Sequence, residues 1–453
     1  MFKKIEIWIL YLVVFLGIPL TIGFGGLVRQ ELVGENKLGW VSKGSLFLSS
    51  LPTKFFTLAT KFEPNRIEND RFPDLSGFIG NFNSKENYLL LSRYDGDLKE
   101  GVVELVDLRN FKVLHSWNPD LSKLNKLIPN TNEFLFLDRD IKEYRALFKS
   151  PILTKDKGLL INDGVLRKVD YCSNLIFQNE NEFFHHSIET DIDGNIWVPS
   201  HMFPKSLSIK KVGNQPANAG GYFDDSIVKL SSNGKILFQK SVSQIFIDNG
   251  LEYLLFSVGD PKFDFDPIHL NDIQPINYDG KYWKKGDVFL SLRHQSMVLL
   301  YRPSTNKIIW KGTGPFFHQH DVNVLNDHSI SIFNNNSKIF INGDEVEGHN
   351  EVIVYDFKTN QYSQYLKESL IKNDVKTVSQ GRSTILPNGD LFVEEQNYGR
   401  ILYFNFDGSL RWTHINRAEN GNLYANSWSR ILFDKKDIKI VNNFLQAEAK
   451  CDK

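Results

Sequence analysis

Cysteine is nearly missing from this chain: its 453 residues hold two, Cys172 and Cys451, and neither stands in a C-x-x-C pair. A zinc ribbon, a redox dithiol and a small disulfide-framed fold are thereby excluded. The two thiols lie far apart and share no spacing motif, so they read as unrelated free thiols. A bridge from the C-terminal tail to the body is permitted only in an oxidising compartment. Excess charge is missing too. The 53 basic residues face 54 acidic ones for a net charge of −1, which excludes global steering towards nucleic acid or acidic polymers and leaves charge selectivity to local sites. Ala-rich helical runs are scarce, whereas Phe (35) and Tyr (16) are abundant, a balance that favours strands. At 41% hydrophobic the chain can bury one large core or two ordinary ones.

Long apolar runs are confined to the N-terminus. Ile7 to Val28 is uncharged for 22 residues, interrupted only by Pro19, Thr21 and glycines, with Lys3 and Lys4 ahead of it. That length crosses a bilayer. The positive-inside tendency keeps the lysines in the cytoplasm and sends everything after Arg29 to the periplasmic or extracellular side. The rival reading, a cleaved secretory signal, lacks an A-x-A site and has too short an apolar region for this run. Residues 1–30 are therefore expected to be a signal-anchor, 31–74 a juxtamembrane connector and 75–453 the globular domain. Within the connector, Ser45 to Phe62 carries apolar residues at helical spacing, and Pro52 stands where a second short helix would start. Such a helix packs on the domain base or lies among lipid headgroups.

From Leu75 onward short alternating strands are separated by Gly, Asn and Asp turns. One unit recurs at Ser76–Trp117, Gly158–Phe177, His185–Lys240, His269–Lys311, His320–Tyr365 and Arg382–His414. A period of roughly 40 to 55 residues over about six units predicts an all-β, six-bladed β-propeller. His186 stands eight residues before Gly194, His320 eight before His328, and Gly381, beside Arg382, eight before Gly389. The first strand of each blade lines a propeller's central channel, so equivalent positions converge on one axis. Between units, Met202 to Tyr222 reads as a long loop and Val242 to Phe256 as a short helix and turn. P-K-F-D-F-D-P then leads into His269. Loops of that length shape a pocket mouth or decorate a blade.

The densest chemistry lies between Asp266 and Asn336, where H-L-N-D-I, S-L-R-H-Q-S, I-I-W-K-G-T-G and Q-H-D-V follow in order. Together with H-H-S-I-E-T-D-I-D-G-N-I-W and R-S-T-I-L-P-N-G-D-L-F-V, this series resembles the arylsulfotransferase family, from about Leu75 to the C-terminal region. The resemblance implies a six-bladed propeller that moves a sulfuryl group from a phenolic sulfate to another phenol through a histidine intermediate, without a nucleotide donor and without cofactor or metal. It implies His320 as nucleophile, Arg293 as the sulfate-binding arginine, and His269 and His186 as supporting histidines. The repeat register favours His186 over His185. Asn271, His318 and Arg382 join Arg293 as expected substrate-binding residues. Asn334 to Asn336 departs from the F-D-N type run of relatives and is expected to touch blade structure rather than chemistry.

These residue types suit the reaction. Transfer of an SO3 group places charge on peripheral oxygens, so positioning and fixed donors dominate. A guanidinium supplies permanently charged donors in a fork. Neutral imidazole is a competent nucleophile near neutral pH, and a second imidazole can protonate the leaving phenolate. Other readings stand beside this one. His318 and His320, two apart on a strand, face one side and with His269 form a candidate zinc or copper set. Asp321 orients an imidazole or forms a turn. Arg382 binds substrate or pairs with Glu394, and His115, His201, His349 and His414 are surface or structural. A membrane-anchored propeller that only binds a ligand or protein partner is the alternative function. A quinone-dependent dehydrogenase is the weaker third, since the 8 Trp show no blade-to-blade motif.

Overall fold

The computed structural model describes residues 6–32, 38–59, 65–128, 145–208, 222–257 and 263–446, with Glu63, Val212 and Cys451. It divides into a small helical unit near the N-terminus and a large strand unit. In the helical unit α1 (Ile7–Leu32) and α2 (Trp40–Ala59) pack on one another. With a mean hydropathy of 2.3 over its most apolar 18 residues, α1 is long and apolar enough to cross a membrane. Pro52 lies inside α2 rather than at the start of a separate helix. Its ring removes one N–H from the ladder without ending the helix, and the Ser49 and Ser50 hydroxyls donate to the Leu46 and Phe47 carbonyls in the same turn.

The strand unit is a propeller of six antiparallel sheets. Blades 2, 4 and 5 begin with the inner strands Lys149–Leu153, Leu270–Pro275 and Val322–Val324. Blade 3 begins with the short segments Phe183–Phe184 and Glu189–Thr190, and blade 6 with Arg382–Ile385. Blade 1 takes Tyr88–Asp95, Glu100–Asp107 and Lys112–Trp117, and its innermost strand is Arg430–Leu432 from the far end of the chain. The segment after Ser76 does not open the first unit as its sequence suggests. Gly77–Gly80 pairs with Leu410–Ile415 as a fifth, outer strand of blade 6. The predicted helix and turn at Val242–Phe256 forms as Val242–Asp248 and Tyr253–Phe256. Most of the predicted loop Met202–Tyr222 lies outside the described residues.

Strands that are apolar on both faces are packed on both faces. Six apolar clusters fill the six junctions between neighbouring blades, from blade 1 against 2 around to blade 6 against 1. The last includes Trp412 stacked 5.3 Å from Tyr403, with its Nε1–H given to Asn83. Polar latches reinforce the junctions near the axis. Asp225 accepts the Leu270 N–H, Asp272 the Val322 N–H, Asp321 the Ser383 N–H and Glu394 the Trp428 and Ser429 N–H groups, each from one blade to the inner segment of the next. Burial and the Asp321 charge push Asp272 up to about 8.

The two thiols are not free: Cys172 and Cys451 form a disulfide with Cα atoms 5.3 Å apart. The helix Lys435–Leu445 docks Phe444 against Tyr171 and Trp117 of blades 2 and 1, which delivers the tail to Cys172. A contact across 279 residues leaves no trace in local spacing.

Candidate active site

Where each blade's chain turns into its innermost strand, one non-glycine residue takes a left-handed backbone. These are Ser150, His186, His269, His318, Gln380 and Trp428, with φ between +49° and +61°. Such residues are uncommon and collect at functional sites. Four of the six side chains gather around one ring, that of His320. The His186 ring lies 6.1 Å from His320 and 5.2 Å from His269, and the Trp428 indole lies 6.3 Å from His320 and 6.1 Å from His186. Gln380 ties them, accepting from Trp428 Nε1 at 3.1 Å with its amide nitrogen 3.4 Å from His186 Nε2.

His320 is fully buried and held at both ring nitrogens. Nδ1 lies 2.6 Å from Asn335 Oδ1. The Asn335 amide nitrogen already donates to the Thr377 and Gln380 carbonyls, so the contact with His320 falls to the amide oxygen and Nδ1 carries the proton. Nε2 then presents its lone pair and accepts the Gln380 N–H at 2.9 Å. Burial first, and the Arg293 charge second, hold His320 well below the ordinary histidine value, so the ring is neutral. Asn335 thus touches the candidate nucleophile itself, contrary to the expectation that the Asn334–Asn336 run concerns only blade structure.

Arg293 follows the second strand of blade 4, and its N–H bonds the His269 carbonyl. Its guanidinium contacts His294 Nε2 at 2.6 Å and Asp344 Oδ2 at 3.2 Å, while Nε has no hydrogen-bond partner. Asp344 belongs to the hairpin Ser337–Phe340 and Gly343–Val346, inserted in blade 5. His269 gives Nδ1 to Asp266 Oδ2 at 2.6 Å. Against its own burial, that contact draws Asp266 down to about 2. His318 packs 6.1 Å from His294, and burial followed by Arg293 lowers it to about 4. His318 is not on a strand: blade 5's inner strand starts at Val322, and the left-handed φ at His318 removes the same-face relation to His320. Among the described residues the groupings able to hold a metal are His185 with His201 and Asp225, and Asp266 with His269 and His294. The His318–His320–His269 set is not one of them.

The other expected residues lie deeper. Asn271 donates to the Gln319 carbonyl at 3.0 Å, bracing the segment that carries His320. Arg382 is buried between Asp321 at 3.4 Å and Glu189 at 3.7 Å, with its guanidinium carbon 5.9 Å from the Trp428 ring. Burial disfavours its charge, but Asp321 and Glu189 outweigh that and raise its pKa. Asp321 therefore neither orients His320 nor forms a turn; it bonds Arg382, Asn323 and the Ser383 N–H. His201 faces Asp225 beside His185. Reading the sequence missed Asn335, Gln380, Trp428, His294 and Asp266. Gln380 had a signal, since it precedes Gly381 in the eight-residue register; Trp428 had none, because it follows the last recognisable unit.

A family model described as Arylsulfotransferase (ASST) matches residues 143–417. No curated protein matches. Similar solved structures include a protein of unknown function from Bacteroides caccae, 10% identical over 73% of this chain and 94% of that one, with a TM-score of 0.43. The Dos1 propeller is 11% identical over 73% and 71%, with a TM-score of 0.37. The Neurospora crassa Pan2 WD40 domain is 10% identical over 78% and 88%, with a TM-score of 0.38.

Proposed function

The chain belongs to the arylsulfotransferase family, and from that premise we propose that it carries a sulfuryl group from an aryl sulfate to a phenol on His320, with no nucleotide donor. The observation that carries this reading is the state of His320: neutral, with its proton fixed on Nδ1 by Asn335 and its lone pair on Nε2. Such a ring is a nucleophile without prior deprotonation.

The aryl sulfate docks with its sulfuryl oxygens towards Arg293, whose unpartnered Nε offers a charged donor. Nε2 of His320 attacks sulfur, giving up the Gln380 N–H, which is then placed to bond a sulfuryl oxygen. The N–S bond forms, the S–O bond to the ring breaks, and its electron pair leaves on the phenolate oxygen. His269 supplies the proton there, because Asp266 on its Nδ1 steadies an imidazolium as the aspartate of a Ser-His-Asp triad does. An acceptor phenol then returns a proton to His269 and attacks sulfur, and the N–S bond breaks to restore His320. Fixed donors around the sulfuryl group hold the charge that spreads over its oxygens. The propeller is assigned to the non-cytoplasmic side of a membrane anchored by α1; the Cys172–Cys451 disulfide supports that side.

The test uses the full chain with a chromogenic aryl sulfate, with and without added phenol. Phenol release is expected to rise with acceptor, to fall at least ~10³-fold in His320→Ala and Arg293→Ala, and to leave a sulfuryl mass increment on the His320 peptide. Release that survives His320→Ala, or none from a folded chain with any aryl sulfate, would return the protein to the class of ligand-binding propellers.

A further inference from the structure

We propose that His185, His201 and Asp225 form a divalent transition-metal site, of zinc-type chemistry, on the flank of the catalytic centre. This inference does not depend on the sulfuryl-transfer reading. His185 Nε2 and His201 Nε2 lie 3.2 Å and 3.5 Å from the same carboxylate oxygen, Asp225 Oδ1. His185 is 5% exposed, and its Nε2 makes no hydrogen bond despite that proximity. A buried imidazole nitrogen that faces a carboxylate without bonding it leaves a place for an ion between them.

The surroundings are built to hold the three groups in place. His201 is stacked between two phenyl rings, Phe183 at 5.1 Å and 19° and Phe223 at 4.4 Å and 11°, so its ring plane is fixed. The other oxygen of Asp225, Oδ2, is taken by the Leu270 N–H at 2.7 Å, which turns Oδ1 to the imidazoles. His185 Nδ1 is engaged by His186 Nδ1 at 2.8 Å, which leaves Nε2 as its ligating atom. These are the outer contacts that orient metal ligands. Asp225 is 1% exposed, and among the described residues no lysine or arginine pairs with it, so a cation would balance its charge. Two imidazoles and one carboxylate suit zinc, cobalt or nickel rather than calcium or magnesium, with a fourth position open on the less buried His201 side. The neighbouring group Asp266, His269 and His294 is saturated by its own contacts, His269 Nδ1 to the Asp266 carboxylate and His294 Nδ1 to the Asp266 carbonyl, both at 2.6 Å.

Ligation has a consequence for the neighbouring ring. A metal on His185 Nε2 leaves that imidazole's proton on Nδ1, the atom 2.8 Å from His186 Nδ1, so the His186 ring would accept there.

The test treats the purified full chain with a chelator, then titrates Co(II) and follows its visible absorption, with Zn(II) as competitor. One Co(II) per chain, displaced by Zn(II), is expected. His201→Ala and Asp225→Asn are expected to weaken binding at least ~10²-fold, and His294→Ala to leave it unchanged. Because His201→Ala removes a stacked ring, His201→Phe is run beside it, preserving the stack without a ligating nitrogen and binding equally poorly. Circular dichroism confirms that each variant is folded. No saturable Co(II) uptake by the folded wild type, uptake that survives both His201 variants, or uptake lost in His294→Ala would overturn the site.

Discussion

Both nitrogens of His320 are engaged, and the two contacts differ in what they do to the rate. Asn335 fixes the proton, so Asn335→Ala is expected to lower kcat about 10²-fold with little change in KM for the aryl sulfate. Asn335→Asp keeps an acceptor but adds a negative charge. It should restore part of the rate while moving the acid limb of the pH profile upward, a shift that a merely structural asparagine would not produce. In the wild type, burial and then Arg293 hold His320 well below ~6.5. The reactive neutral ring therefore persists as pH falls, and kcat/KM should not decline by more than about twofold from pH 8 to pH 6. A decline centred near the ordinary histidine value would show an exposed, unperturbed nucleophile. The residues in named motifs, His186, His269, Arg293 and His320, were legible because each sits in a run of characteristic neighbours. Asn335 was not, because it stands 15 residues from His320 in the chain and meets the ring only in the fold, and Gln380 showed only as the neighbour of Gly381, since its part towards His320 is played by a backbone N–H that almost any residue supplies.

At the scale of elements, the strands declared themselves through alternation and turn residues, but their edges did not. Gly77–Gly80 reads as an ordinary strand, and only pairing with Leu410–Ile415 reveals that it belongs to blade 6. The same limit hid the latch carboxylates: Asp321 beside a histidine looks catalytic until Arg382 and the Ser383 N–H are seen to claim it. Some buried acids lack such compensation. Glu182, at the entry to blade 3, is 4% exposed and bonded by Ser200 at 3.3 Å, and burial pushes its carboxyl up to about 7 from an ordinary 4.5. Its folded value lies above its unfolded one, so the ionised form is disfavoured in the fold. Stability is highest below the ordinary value and is lost as pH rises from there through about 7. Glu182→Gln keeps the hydrogen bond and removes the charge. Melting curves should show it more stable than wild type by about 2–3 kcal/mol at pH 8 and indistinguishable near pH 4.5; an equal shift at both pH values would trace the effect to packing.

For the molecule as a whole, closure depends on one short strand. Arg430–Leu432 completes blade 1, and Arg430 reaches Glu189 at 2.9 Å and the Ile188 carbonyl in blade 3. Truncation after Asn426 removes this strand together with Trp428 and the C-terminal helix. It is expected to yield a chain that trypsin degrades throughout, whereas ending the chain after Gln446 should leave a protease-resistant propeller. Equal resistance of the two would show that the ring holds without its clasp. A ring fastened by its C-terminal strand also sets the order of events during synthesis. Blades 2 to 6 can form in turn as the chain emerges, but blade 1 waits with an unpaired edge until Arg430–Leu432 has left the ribosome. The propeller is thus born as an open arc and closes into a ring only when its last strand arrives.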